Sequence, residues 1–128
     1  MLDHITFGVA DLERCAAFYD RALAVLGVTR LATYSSAVTG GPNVIGYGAQ
    51  ERAYFWLQDQ AATAPPLHVA FAAPDRATVD AFYAAALQAG GRDNGAPGLR
   101  PHYHPNYYGA FVLDPEGRNI EAVCRAPE

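Results

Sequence analysis

The sequence repeats itself at half its length. Offset the 128 residues by 64 and His4 falls on His68, Phe7 on Phe71 and Asp11 on Asp75. The same register, without a gap, lays Ala17-Phe18-Tyr19 on Ala81-Phe82-Tyr83, Ala22-Leu23 on Ala86-Leu87, and Gly27 on Gly91. Shared Phe, Tyr and His coincide by chance less often than shared Ala. A duplicated chain builds one unit twice, and this length supports one compact domain but not two independent cores. We therefore expect a single domain over 1–128 made of two repeats, about 1–62 and 65–126.

Each half reads as strand, helix and three further strands. Over Leu2 to Val9, Ile5, Phe7 and Val9 alternate with His4, Thr6 and Gly8, the period of a strand. Asp11 is placed to cap a helix. Leu12, Cys15, Tyr19, Leu23 and Leu26 follow at helical spacing, and Gly27 ends it. Strands are expected near Val28–Tyr34, Asn43–Ala49 and Ala53–Gln58, with Thr39-Gly40-Gly41-Pro42 as a loop. In the second half Leu67–Ala73 reads as a strand and Asp75 as a cap. Val79, Phe82, Ala86 and Leu87 form an apolar helix face, which Gly90-Gly91 stops. Asp93 to Pro105 is rich in Gly and Pro, so any strand there should be short. Gly109–Leu113 and Arg118–Cys124 complete the set, joined by Asp114-Pro115-Glu116-Gly117 as a type I turn. The fold class is α+β, with two βαβββ modules.

Composition removes several classes of function. The chain is 51% hydrophobic and 17% charged, as a globular protein is and a disordered one is not. A net charge of −4 offers nucleic acid no general attraction. No run of about 20 apolar residues predicts a membrane span, and Met1–Phe7 lacks the basic-then-apolar pattern of a secretion signal. Cys15 and Cys124 make neither a disulfide framework nor a zinc knuckle. They read as free thiols in a reducing cytoplasm.

Strand alternation sorts the polar side chains. Ile5, Phe7 and Val9 face the first helix, so His4 points away from it. Leu67, Val69 and Phe71 face the second helix, so His68 points away. Ile120, Ala122 and Cys124 form one face of the last strand, and Glu121 belongs to the other with Asn119. In the fourth strand Ala53, Phe55 and Leu57 share one side, and Tyr54, Trp56 and Gln58 the other. Polar groups on an otherwise buried face need a partner, since leaving each unpaired costs on the order of a few kcal/mol. Two imidazoles and a carboxylate, His4, His68 and Glu121, form a facial set with open positions that suits Fe, Mn, Ni or Zn as a divalent ion. The other reading of each is a hydrogen-bonded structural side chain.

Arg100-Pro101-His102-Tyr103-His104-Pro105-Asn106-Tyr107-Tyr108 concentrates aromatic and titratable groups before the seventh strand. His102 and Tyr108 are candidates for acid–base work near neutral pH. Arg100, Tyr103, His104 and Asn106, with Trp56 and Tyr54, are candidate substrate contacts. The alternative is a rigid loop whose rings pack on the sheet and whose prolines fix its path.

Three segments carry a family resemblance. Asp3-His4-Ile5-Thr6-Phe7-Gly8-Val9 with Asp11-Leu12 and Phe18-Tyr19 resembles the opening strand and helix of the vicinal-oxygen-chelate superfamily, which groups glyoxalases, bleomycin resistance proteins and dioxygenases. Leu67-His68-Val69-Ala70-Phe71 resembles its second opening strand. Phe111 to Glu121, through Asp114-Pro115-Glu116-Gly117-Arg118-Asn119, resembles its closing hairpin. The resemblance implies curved mixed sheets enclosing a cavity, one divalent metal held at His4, His68 and Glu121, and a homodimer in which ligands come from one chain or from two. Glyoxalase I enzymes add an acid from the fourth strand. The nearest equivalent here is Trp56, which argues against lactoylglutathione lyase activity.

Three functions remain open at this point. One is a metal-dependent lyase, isomerase or ring-cleaving dioxygenase acting on a small oxygen-chelating substrate. Another is a metal-free protein that sequesters a planar or drug-like compound. The third is a stress or regulatory protein that kept the fold without the chemistry.

Overall fold

The computed structural model describes residues 1–64 and 66–128. Position 65, where the second repeat is expected to begin, lies outside them. Eight strands run in the order β1 Ile5–Gly8, β2 Thr29–Tyr34, β3 Val44–Ala49, β4 Arg52–Gln58, β5 His68–Ala72, β6 Arg92–Leu99, β7 Tyr108–Leu113 and β8 Asn119–Cys124. Helix α1 spans Leu12–Ala22, α2 is the single turn Ser36–Thr39, and α3 spans Arg76–Gln88. The strands form two four-stranded sheets of identical plan, β1-β4-β3-β2 and β5-β8-β7-β6. In each, the opening strand lies parallel to the closing one and the other pairs are antiparallel.

The helices start where the aspartates stand. Asp11 accepts from the Arg14 amide at 3.1 Å and Asp75 from the Thr78 amide at 2.7 Å, which satisfies amides that no helical turn can reach. After Ala22 the chain tightens into a 3-10 turn, Ala24–Leu26, and Gly27 at φ 76° closes it. The expected apolar faces meet in one core: Phe7, Phe18, Tyr19, Tyr47, Phe55, Val79, Phe82, Val112 and Ile120 are all buried in it. Helix α1 packs on α3, and α3 covers β6, β7 and β8. Phe55 and Phe71 meet edge to face at 5.3 Å and carry the core from one sheet to the other.

Two expectations about strands need correcting. The strand expected to be short, β6, runs eight residues. It lies at the sheet edge, where Pro97 forfeits no ladder bond, and two register slips absorb the glycines. In β4 the alternation breaks. Tyr47 pairs with Phe55 and Gly48 with Ala53, so Tyr54 is the extra residue of a bulge. Ala53 turns to the Trp56 side, and Tyr54 packs against the core.

The closing hairpin joins the modules. Glu116 accepts from the Ala10 and Asp11 amides, both at 2.8 Å. Arg118, 1% exposed, donates to the carbonyls of Gly8 and Thr63 at 2.8 Å and lies over the Phe7 ring. Asp114 accepts from the buried Tyr19 hydroxyl at 2.6 Å.

Candidate functional site

β5 and β8 run side by side, with His68 opposite Asn119 and Ala70 opposite Glu121. His68 and Glu121 therefore share the face turned away from α3. His68 Nε2 stands 2.9 Å from Glu121 Oε2. The Glu121 side chain is 2% exposed and that of His68 47%, so the pair opens outward through the imidazole.

The proton inventory of this pair decides what it can hold. His68 Nδ1 lies 3.1 Å from the Asn119 carbonyl oxygen. A carbonyl only accepts, so Nδ1 carries a hydrogen. In neutral imidazole Nε2 then presents its lone pair to a carboxylate oxygen. Two lone pairs at that distance repel unless a proton or a cation stands between them. Donors about 2.1 Å from one divalent ion and at right angles are about 3 Å apart, so the spacing and the N/O donor set fit such an ion. The backbone hydrogen bond on the far nitrogen is the usual way a ligand histidine is oriented.

Glu121 has a second partner that the sequence reading missed. Tyr107, buried, donates its hydroxyl to Glu121 Oε1. Burial, the hydrogen bond to Glu121 and that carboxylate's charge push its pKa up to about 12, so the hydroxyl keeps its proton. Alternation back from Phe111, which faces Glu121, through Gly109 to Tyr107 is the signal that could have found it. Phe111 stacks beside the His68 ring at 6.1 Å, and the Arg100 guanidinium lies over Phe111.

The remaining loop residues are placed differently from one another. Arg100 is on this face, but its guanidinium is occupied by the carbonyls of Ala96, Gly98 and Gly109. Tyr103 packs edge-on to Tyr107 at 5.1 Å, and His102 packs on Tyr103. His104 Nδ1 accepts the Asn106 amide at 3.1 Å, which ties both residues into the turn. Tyr108 points to the opposite side of the sheet, where it donates to Asp80 of α3 at 2.7 Å under Arg76. Residues 107 and 108 alternate across the strand, so Tyr108 cannot act beside Glu121.

His4 lies apart from the pair. It bonds Asp3 at 2.8 Å and borders a cavity of about 420 Å³ with Thr6, Tyr34, Val44, Ala53, Trp56 and Gln58. Trp56 stacks on Tyr34 at 6.4 Å with planes 15° apart, a flat aromatic platform. Tyr54 does not join it and borders the groove between β1 and β5. Among the described residues, no three His, Cys, Asp or Glu side chains converge on one point. One chain thus carries two separate clusters, His4 with Trp56 on the first sheet and His68 with Glu121 on the second. A further cavity of about 650 Å³, beside Asp11, Arg30 and Asp59, is lined by none of the candidate site residues named from the sequence. No helix is long and apolar enough to cross a membrane among the described residues.

Paired βαβββ modules with a His–Glu pair at the head of parallel strands define a protein of the glyoxalase-like class. The family model of the Glyoxalase/Bleomycin resistance protein/Dioxygenase superfamily matches residues 1–122, and the chain belongs to that superfamily. It is similar to a glyoxalase/bleomycin resistance protein from Albidiferax ferrireducens T118, at 31% identity and a TM-score of 0.77, over 97% of this chain and 98% of that one. A family enzyme from Burkholderia phytofirmans PsJN shares the fold at 18% identity and a TM-score of 0.71, over 98% of each chain. Glyoxalase I from Zea mays does so at 24% identity and a TM-score of 0.70, over 97% of this chain and 46% of that one. A search of curated proteins finds no match.

Proposed function

We propose that this protein is a divalent-metal-dependent enzyme, a lyase, isomerase or dioxygenase, acting on a small substrate that offers adjacent oxygens. The observation that carries this reading is the His68–Glu121 pair, an imidazole nitrogen and a buried carboxylate oxygen 2.9 Å apart, a spacing that two ligands of one divalent ion share with a protonated imidazole bonded to the carboxylate. His68 Nε2 and Glu121 Oε2 would hold Fe, Mn, Ni or Zn from one copy, and His4 would complete the set from the second copy of a homodimer. Such an ion supplies Lewis acidity toward chelated oxygens and stabilises negative charge that develops on them. The chain does the rest. Asn119 orients His68, Tyr107 holds Glu121, and the Trp56–Tyr34 platform receives the planar body of the substrate while Thr6 and Gln58 offer polar contacts. Both thiols are free and buried, which suits a reducing cytoplasm.

That platform also favours a second reading, a metal-free protein that sequesters a flat aromatic compound. Elemental mass spectrometry of tag-free protein separates the two. The enzyme reading predicts near one equivalent of transition metal per chain, lost in His68→Ala. Absence of metal after reconstitution with Fe(II), Mn(II), Ni(II) and Zn(II) would move the assignment to the binder.

A further inference from the structure

The conspicuous loop before β7 brings neither of its histidines against Glu121. It delivers Tyr107. Its ends are pinned together, with the Arg100 amide bonded to the Tyr107 carbonyl at 2.7 Å and the Tyr107 amide to the His104 carbonyl at 3.0 Å. The Tyr107 ring is held by the edge contact with Tyr103 and by the Arg125 guanidinium, 4.9 Å from its centroid. Between Tyr107 and Glu121 lies Gly109. A Cβ there would come within 3.1 Å of the Tyr107 ring and 3.2 Å of Glu121 Oε1. The missing side chain is the space through which the hydroxyl reaches the carboxylate.

We infer that Tyr107 is a positioning residue for Glu121, which binds Oε1 and leaves Oε2, the oxygen facing His68 Nε2, as the one presented to a divalent cation. This rests on the metal reading proposed above. An ionised carboxylate has about four acceptor directions on two oxygens, and a Glu side chain turns about its terminal bond with little hindrance. The Tyr107 hydroxyl removes that freedom. It also keeps Oε1 satisfied in a buried setting, so the carboxylate need not rotate away from the cation to find a donor. Loss of such a ligand-orienting bond typically weakens metal binding about 10–100-fold.

The test is Co(II) titration of the apo full-length chain, read by the dissociation constant and by the Co(II) ligand-field absorption. Tyr107→Phe keeps the ring and its packing and should weaken Co(II) binding by about 10–100-fold, with a changed absorption spectrum. Tyr108→Phe also deletes a bonded hydroxyl, but on the α3 side, and should bind as the wild type does. Gly109→Ala keeps the Tyr107 hydroxyl while crowding its path, and should also bind more weakly. Wild-type affinity and spectrum in both Tyr107→Phe and Gly109→Ala would overturn the inference and leave the metal site standing. Failure of the wild-type protein to bind Co(II) would overturn the metal reading and this inference with it.

Discussion

Trp56 is the chain's single tryptophan, and its position depends on a residue with no side chain. A Cβ on Gly46 would lie 2.6 Å from the indole, a distance that real contacts do not reach. Gly46→Ala must therefore lift the indole off the sheet and away from Tyr34. The expected outcome is a shift of tryptophan emission and about 1–3 kcal/mol of lost stability, measured by fluorescence and urea unfolding. Unchanged emission would mean that Trp56 is not seated on Gly46. The identity of Trp56 at a face position was legible in the sequence, but its platform was not. Alternation assigns sides and says nothing of which cross-strand neighbour is small enough to be covered. Tyr54 shows the same limit, because as the extra residue of a bulge it leaves the alternation of β4 and packs against the core.

At the scale of elements, the hairpin between β7 and β8 is the tie between modules. Burial would raise the Glu116 carboxyl, but the Ala10 and Asp11 amides, the Cys15 thiol and Arg118 outweigh it and hold the group below its ordinary value. The sign follows: a depressed folded-state value adds stability above the unfolded value, about 4.3, and loses it as pH falls through the folded one. Glu116→Gln should cost about 1–3 kcal/mol at pH 7. The gap from wild type should narrow as pH falls below about 4. Urea unfolding at pH 7 and at pH 3 measures both, and a gap independent of pH would contradict the assignment. The turn itself was readable from Asp114-Pro115-Glu116-Gly117, whose residue types suit its geometry. Its partners were not, because Glu116 and Ala10 are more than a hundred positions apart. β6 was misjudged for a related reason. Gly and Pro weaken a strand in isolation, whereas an edge position with bulges tolerates them.

At the scale of the molecule, the offset of 64 residues carried most of the architecture, since a repeated unit gives a repeated sheet. It also marked His4 and His68 as equivalent. Equivalence is not proximity. His68 and Glu121 meet because β5 and β8 are neighbours in one sheet, while His4 belongs to the other sheet, and the hairpin and the α1–α3 contact decide how the two sheets sit. No local pattern encodes that. Both clusters lie beside exposed aromatic rings, Tyr34 at 47% and Tyr103 at 61%, and the proposed homodimer would bring His4 of one copy to His68 and Glu121 of the other.

Complementation measures that arrangement directly. His4→Ala and Glu121→Ala are each purified as tag-free protein, then mixed under conditions that let the proposed dimer exchange subunits, and assayed for oligomeric state and bound metal by native mass spectrometry. A shared site predicts that each variant alone loses its metal and that the mixed dimer regains one ion, held by His4 of one copy and by His68 and Glu121 of the other. Metal retained by the His4→Ala protein, or none regained by a mixed dimer that demonstrably forms, would contradict the account.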